Sequence, residues 1–403
     1  MKVNIQRIME NLSATGKIGA NSNGGITRLC FSKEYFEALE TLEKLFLKAG
    51  LKVTKDKVGN IIGYRAGKNP TEKSIMIGSH LDTVINGGLY DGNLGVVSAL
   101  EIVNMLNDFN LETEHPIEIV AFNAEEGSKL GATFGSRVMI GRQNLEIENI
   151  EEKLNTYNLK ISDLVESKKD MSKIGAFIEL HIEQGGYLIN NEYDIGVVNG
   201  IVGIKRQRID IIGESNHGGT TPMALRKDPV IIAGKFIEKI NQLSREKYSH
   251  PFVSTIGNIK VYPGMYNVIP QKVTLFLECR DIEDKNLFFF IEDIKEYAKI
   301  FKKDYAISFE EEFFEPSKML SSVIMDEIKK SADELGFKNT IISSGAGHDS
   351  QEIIYKVPTG MIFIPSVGGI SHSPEEYSTE EQIEKGVEVL FKTVISLDKN
   401  SII

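Results

Sequence analysis

The chain has 403 residues, is 41% hydrophobic and 26% charged, and carries a formal net charge of -11. Those figures suit a globular protein of two or three domains, and the acidic balance, without a basic stripe, excludes nucleic acid as an expected partner. Two distant cysteines, Cys30 and Cys279, lie in neither metal nor redox spacing, and no apolar run approaches a signal peptide or a membrane span, so a cytoplasmic protein with buried thiols and no membrane partner is predicted.

In chain order, residues 1–20 read as a helix and a glycine-containing loop. Phe31 to Gly50 has helical spacing with a broad apolar face, and Gly50 is a suitable C-cap. Short strands are predicted at 51–53 and 60–64. Ile75-Met76-Ile77 reads as a buried strand, and the run from Val96 to Phe109 as a helix. Between them lies G-S-H-L-D-T-V-I-N-G-G-L-Y-D-G-N-L-G, where a strand hands over to a helix. Such strand ends carry the sites of α/β folds. His80 and Asp82 are two residues apart, so on extended backbone they share a side; Asp91 follows a Gly87-Gly88 turn. An imidazole and carboxylates at a strand end suit a divalent metal; a surface loop of ordinary turn residues is the alternative.

Two more strands end similarly. The strand 117–122 runs into Asn123-Ala124-Glu125-Glu126-Gly127, and 176–180 runs into His181-Ile182-Glu183-Gln184-Gly185-Gly186. Near Gly203 the pattern changes to alternating apolar and polar residues, as in a half-exposed strand. The order there is strand 205–212, helix 228–246, strands 252–262 and 272–279, helix 287–302, strand 305–311. That β-α-β-β-α-β order is a self-contained α+β unit. The predicted fold class is therefore α/β. Domain limits are 1–204 plus 316–403 for a main domain and 205–315 for an inserted α+β domain. Helices at 321–335 and 379–396 complete the first domain.

Five of the seven histidines, His80, His181, His217, His348 and His372, sit in glycine-flanked motifs. G-S-H-L-D-T, Y-D-G, N-A-E-E-G, H-I-E-Q-G, N-H-G-G-T-T-P-M, N-V-I-P, S-G-A-G-H-D and G-I-S-H-S-P occur in that order. Together they resemble the dinuclear-metal amidohydrolases that cleave N-carbamoyl-L-amino acids, allantoate or β-ureidopropionate, within the co-catalytic zinc peptidase superfamily. The resemblance implies a catalytic domain like that of zinc exopeptidases, with a central mixed sheet flanked by helices. It implies two divalent ions per subunit, Zn²⁺ or Mn²⁺, Co²⁺ or Ni²⁺. His80, Asp91 and His181 would hold one; Asp91, Glu126 and His372 the other. By the same resemblance Asp82 orients His80, Glu125 is the general base, and His217 stabilises the oxyanion. Gln184, Asn267 and Arg280 contact a small carboxylate-bearing ureido substrate, Arg280 as the carboxylate anchor. A surface salt bridge with Asp281 or Glu278 is the plainer reading of Arg280 alone. The inserted domain would pair with its twin into a homodimer and close over the metals, with Gly203 and the region of Pro316 as hinges. N-carbamoyl-L-amino acid hydrolysis ranks first, allantoate second and β-ureidopropionate third. An aminoacylase or dipeptidase, or a non-catalytic ligand-binding relative, ranks below these. Ser350 and Gly218-Gly219 depart from the commoner family residues, which bears on substrate choice. The roles of His348 and Asp349 stay open.

Overall fold

A computed structural model describes residues 2–248 and 250–399. Its strands, in chain order, are β1 Lys52–Lys55, β2 Ile61–Arg65, β3 Ser74–His80, β4 Ile117–Phe122, β5 Ile174–Ile182, β6 Ile195–Ile201, β7 Gly203–Ile212, β8 Asn216–His217, β9 Val253–Tyr262, β10 Val268–Ile269, β11 Lys272–Asp281, β12 Ala306–Glu315, β13 Lys318–Met319, β14 Asn339–Ser344 and β15 Thr359–Ile364. The chain forms two compact units. One holds the chain up to Asn199 and again from Leu320; the other runs from Gly200 to Met319. The sequence reading set the inner limits at 205 and 315.

In the first unit the sheet order is β1-β2-β4-β3-β5-β15-β6, with β14 also paired to β6. β3 lies parallel to both β4 and β5, and β15 is parallel to β5. β2 and β6 add antiparallel edges to that parallel centre, so the sheet is mixed. Every residue of β3, β4, β5 and β15 is buried, as expected of parallel strands covered on both faces. Alternate residues serve opposite layers. Ile75 and Ile77 join the core under helices 5–16, 33–48, 93–108, 322–335 and 380–399, whereas Met76, Val120, Phe122 and Phe177 pack against Met139, Ile140, Met171 and Ile353. The 93–108 helix is buried along nearly its whole length. Its one buried acid, Glu101, is paired to Arg7 at 2.6 Å, which fastens the first helix to it.

Two boundaries differ from the sequence reading. β3 continues through His80, so Gly78 and Ser79 are strand residues and not loop. A Cβ on Gly78 would overlap the Val120 carbonyl of the neighbouring strand; glycine here allows close backbone approach. The following helix starts at Asn93, three residues earlier than its apolar run, which sets Asp91 directly before its first turn.

The second unit is a four-stranded antiparallel sheet in the order β12-β7-β11-β9. Helices Pro229–Glu246 and Asp284–Ala298 pack on one face around Ile209, Ile211, Phe236, Leu275, Leu277 and Phe290. β8 and β10 form a separate two-stranded ribbon. The α/β architecture with an added α+β sheet agrees with the expected fold class.

Candidate metal centre

Parallel strands deliver the ends of β3, β4 and β5 to the same edge of the first unit. Register pairs His80 with Phe122, three residues before Glu125, and Phe363 with His181. The loops that follow turn sharply. Ala124 (φ 60°), Gln184 (φ 61°) and His372 (φ 55°) all adopt left-handed backbone, a conformation that costs non-glycine residues free energy and clusters at functional sites. Each of these residues is, or directly precedes, one of the predicted site residues.

Asp91 is the centre of the arrangement. Its Oδ1 lies 3.3 Å from His80 Nε2 and 3.2 Å from His181 Nε2. Its Oδ2 lies 3.3 Å from His372 Nε2, and that same nitrogen is 3.4 Å from Glu126 Oε2. Glu125 Oε2 stands 3.8 Å from His80 Nε2. Two sets of three ligand atoms result, His80-Asp91-His181 and Asp91-Glu126-His372, each within 4.8 Å. The other ring nitrogens are committed elsewhere. His80 Nδ1 donates to the Asp82 carbonyl at 3.0 Å, and His181 Nδ1 to the Ile182 carbonyl at 2.8 Å. Both imidazoles therefore turn Nε2 inward.

Asp82 orients His80 through its backbone oxygen; its carboxylate is 3.9 Å from the ring. That carboxylate instead accepts the N–H groups of Glu125 and Glu126 at 3.1 and 3.2 Å, so it shapes the turn that separates the two glutamates. Arg28, fully buried, donates to the Leu81 carbonyl at 2.8 Å and braces the same stretch from below. Burial brings the Arg28 guanidinium down to about 10.

The charges fit a cation. Burial opposes ionisation of Asp91, but hydrogen bonds from His181, His372 and His80 outweigh it and hold the carboxyl well below its ordinary value. Burial pushes Glu125 well above its usual range, aided by the carboxylates of Asp349 and Glu126 against the pull of His80. Glu126 rises to about 7, through burial and then the charge of Asp91. Glu126 Oε1 is buried with no hydrogen-bond partner. A buried carboxylate oxygen without a partner is costly, and it sits in a set of imidazoles and carboxylates of the borderline kind that binds Zn²⁺, Mn²⁺, Co²⁺ or Ni²⁺.

Gln184, expected to touch substrate, donates to Asp91 Oδ2 at 2.8 Å. His217, Asn267 and Arg280 belong to the second unit. His217 lies on β8 and Asn267 directly precedes β10, and Gly218 N donates to the Asn267 carbonyl at 2.7 Å. His217 Nδ1 accepts from Gly219 N at 3.0 Å and Thr220 N at 3.1 Å. Arg280 pairs with Glu278 at 2.8 Å, the plainer contact that the sequence allowed.

Sequence reasoning passed over two groups and left the role of His348 open. Glu179, on β5, accepts from Ser79 Oγ at 2.7 Å and from Ser350 Oγ at 2.7 Å, which links the strand ends beneath the centre. The Ser350 backbone N–H also donates to Glu179, at 3.1 Å. His348 stacks edge-on against His181, with 4.5 Å between ring centres, and faces Ser344 Oγ at 2.9 Å. Glu179, His181 and His348 make a third close set, but both nitrogens of His181 are already engaged. Burial drives His348 well below the usual histidine range, which favours the neutral imidazole there. The second missed group is Glu376, whose Oε1 accepts the Tyr90 and Asp91 N–H groups at 2.9 Å.

The chain belongs to peptidase family M20/M25/M40, whose family model matches residues 76–396, and within it to the hydantoinase/carbamoylase amidase branch. It is a metal-dependent amidohydrolase of that branch. It is 37% identical over 403 residues to the N-carbamoyl-L-amino-acid amidohydrolase of Pseudomonas sp. (strain NS671), covering 97% of each chain. It is 32% identical to the allantoate amidohydrolase of Escherichia coli (strain K12), covering 96% of each. The crystal structure of a hydantoinase/carbamoylase family amidase from Burkholderia multivorans matches it with a TM-score of 0.87 at 31% identity, covering 98% of both chains. Among the described residues no helix is long and apolar enough to cross a membrane.

Proposed function

We propose that the protein hydrolyses the ureido bond of N-carbamoyl-L-amino acids, giving an L-amino acid, carbon dioxide and ammonia. Metal-dependent hydrolysis is supported by Asp91, each of whose carboxylate oxygens faces imidazole nitrogen at 3.2–3.3 Å with Glu125 alongside; the choice of substrate is supported by the 37% identity to the Pseudomonas N-carbamoyl-L-amino-acid amidohydrolase. His80, Asp91 and His181 would hold one divalent ion, and Asp91, Glu126 and His372 a second. Ions there supply Lewis acidity, acidifying a water molecule and polarising an amide carbonyl.

The chain's own groups do the rest. Glu125, buried beside His80, takes the proton of the attacking water and returns it to the leaving nitrogen. Asp82 fixes the Glu125 and Glu126 amides, so one side chain serves as base and the other as ligand. His217 accepts two N–H groups at Nδ1, which leaves its proton on Nε2. A neutral imidazole with Nε2–H is a donor suited to a developing oxyanion. Asn267, Gln184 and Arg280 complete the substrate contacts, with the Arg280 guanidinium reading the carboxylate. We further propose a homodimer through the Gly200–Met319 unit. Its edge strand β9 exposes Val253, Ile259 and Val261, and open edges are usually paired or covered.

The test is ammonia release from a panel of N-carbamoyl-L-amino acids, allantoate and β-ureidopropionate, with protein loaded with Mn²⁺, Co²⁺, Ni²⁺ or Zn²⁺. Highest kcat/KM on a carbamoyl amino acid is expected. Turnover confined to allantoate would transfer the assignment to the second reading.

A further inference from the structure

We infer that Glu376 is a positioning residue for the bridging ligand Asp91, and that it governs the ion on the His372 side of that ligand. The inference rests on the dinuclear reading given above.

Glu376 is 4% exposed, and both of its carboxylate oxygens are used. Oε1 accepts from Tyr90 N and Asp91 N, each at 2.9 Å. Oε2 accepts from Ser371 Oγ at 2.8 Å, and Ser371 Oγ also lies 3.2 Å from Asp91 Oδ2. One acid thus grips the main chain of Asp91 and, through a hydroxyl, reaches the side chain of the same residue. Ser371 directly precedes His372, so the grip also joins the bridging ligand to the loop that brings the last imidazole. Space for it is made by Gly88, where a Cβ would overlap the Glu376 carboxylate. That gives a local reason for the Gly87-Gly88 turn before Asp91.

The contacts are lopsided. Ser371 touches Oδ2, the oxygen that faces His372; Oδ1, which faces His80 and His181, receives nothing from this group. Losing Glu376 should therefore disturb the Asp91-Glu126-His372 set more than the His80-Asp91-His181 set. Ser371 has one hydroxyl hydrogen and two acceptors, Asp91 Oδ2 and Glu376 Oε2. In Glu376→Gln the amide oxygen can still accept both backbone N–H groups, and the NH₂ can donate to Ser371, which leaves the hydroxyl hydrogen to Asp91. The glutamine variant should work; the alanine variant should not.

The experiment is stepwise Co²⁺ binding to chelator-stripped full-length protein, followed by visible absorption and equilibrium dialysis, with the thermal melt of each metal-free variant alongside. Wild type should bind in two steps; the step lost in His372→Ala is that of the Asp91-Glu126-His372 ion, called the second step whatever its order. Glu376→Ala should weaken the second step by about 10–100-fold, the usual consequence of removing a group that orients a ligand, and leave the first nearly unchanged. Glu376→Gln should restore the second step. A purely structural role would weaken both steps together and lower the metal-free melt; equal weakening, or no change at all, overturns the inference. If Glu376→Ala fails to fold, Ser371→Ala decides, because it spares the grip on the backbone: a weakened second step supports the inference and an unchanged one overturns it. Wild-type protein that binds no Co²⁺ would overturn the metal centre itself, an outcome distinct from two normal steps in every variant.

Discussion

Glu125 and Glu126 are neighbours with divergent proposed tasks, and the Asp82 carboxylate accepts both of their amide N–H groups. Glu125→Gln should keep its bound metal and its fold but lower kcat by about 10²–10⁴-fold, the range of a general-base contribution. Metal analysis beside steady-state kinetics checks this; near-normal turnover in a fully loaded variant would remove Glu125 from that role. His372 gives a pH prediction. Its hydrogen bond to Asp91 raises the metal-free imidazole to about 9. Below that pH a proton occupies the nitrogen that an ion would use, so metal uptake releases it. Affinity for the second ion should rise by up to about tenfold per pH unit between pH 7 and 9 and then level off. Calorimetry in buffers of different ionisation enthalpy would count the proton, and a pH-independent second step would contradict it. The histidines and the paired glutamates were legible in the sequence because unusual chemistry is concentrated among glycines. Glu376 was not. An acid in a polar turn looks solvated on paper, and its backbone partners lie 285 and 286 residues earlier.

At the scale of elements, most of the sheet's parallel centre, β3, β4 and β5, was readable as short continuous apolar runs, although β15 was not. Its ends were less so, because Gly78 and Ser79 look like loop until Val120 is placed beside them. Strand β6 escaped because Gly196 and Gly200 interrupt its pattern, and β14 because four of its 6 residues are polar. Close approach at Gly78 makes a prediction. Gly78→Ala should force β3 from β4 and lower stability by about 1–3 kcal/mol, as overpacking does. Urea unfolding should show a lower midpoint with an unchanged slope. An unaltered midpoint would mean that the strands can part at no cost. Because His80 ends β3, the same variant should also bind its first metal ion more weakly.

At the scale of the whole molecule, Arg280 carries the proposed link to substrate. Its pair with Glu278 is partly exposed, and a pair of that kind contributes little to stability; Arg280→Ala should keep its metals. KM for carboxylate-bearing substrates should rise by about 10–100-fold, the worth of a charged hydrogen bond. Unchanged KM and kcat would exclude arginine as the anchor. Sedimentation of the intact protein should show a dimer, and a fully active monomer would refute the proposed pairing.

β13 pairs with the end of β6, Lys318 opposite Ile201 and Met319 opposite Gly200. The Gly200–Met319 unit therefore begins and ends on adjacent strands, clasped together like the two sides of a buckle, and it has a core of its own. Segments with neighbouring ends are the ones that chains exchange by insertion. Recombination at these two points would trade Asn267, Arg280 and His217 as a single cassette, while His80, Asp91, Glu126, His181 and His372 stayed with the parent gene. On the proposed roles, all the metal ligands and most of the substrate contacts, Gln184 excepted, are inherited on separate stretches of this chain, free to diverge at different rates.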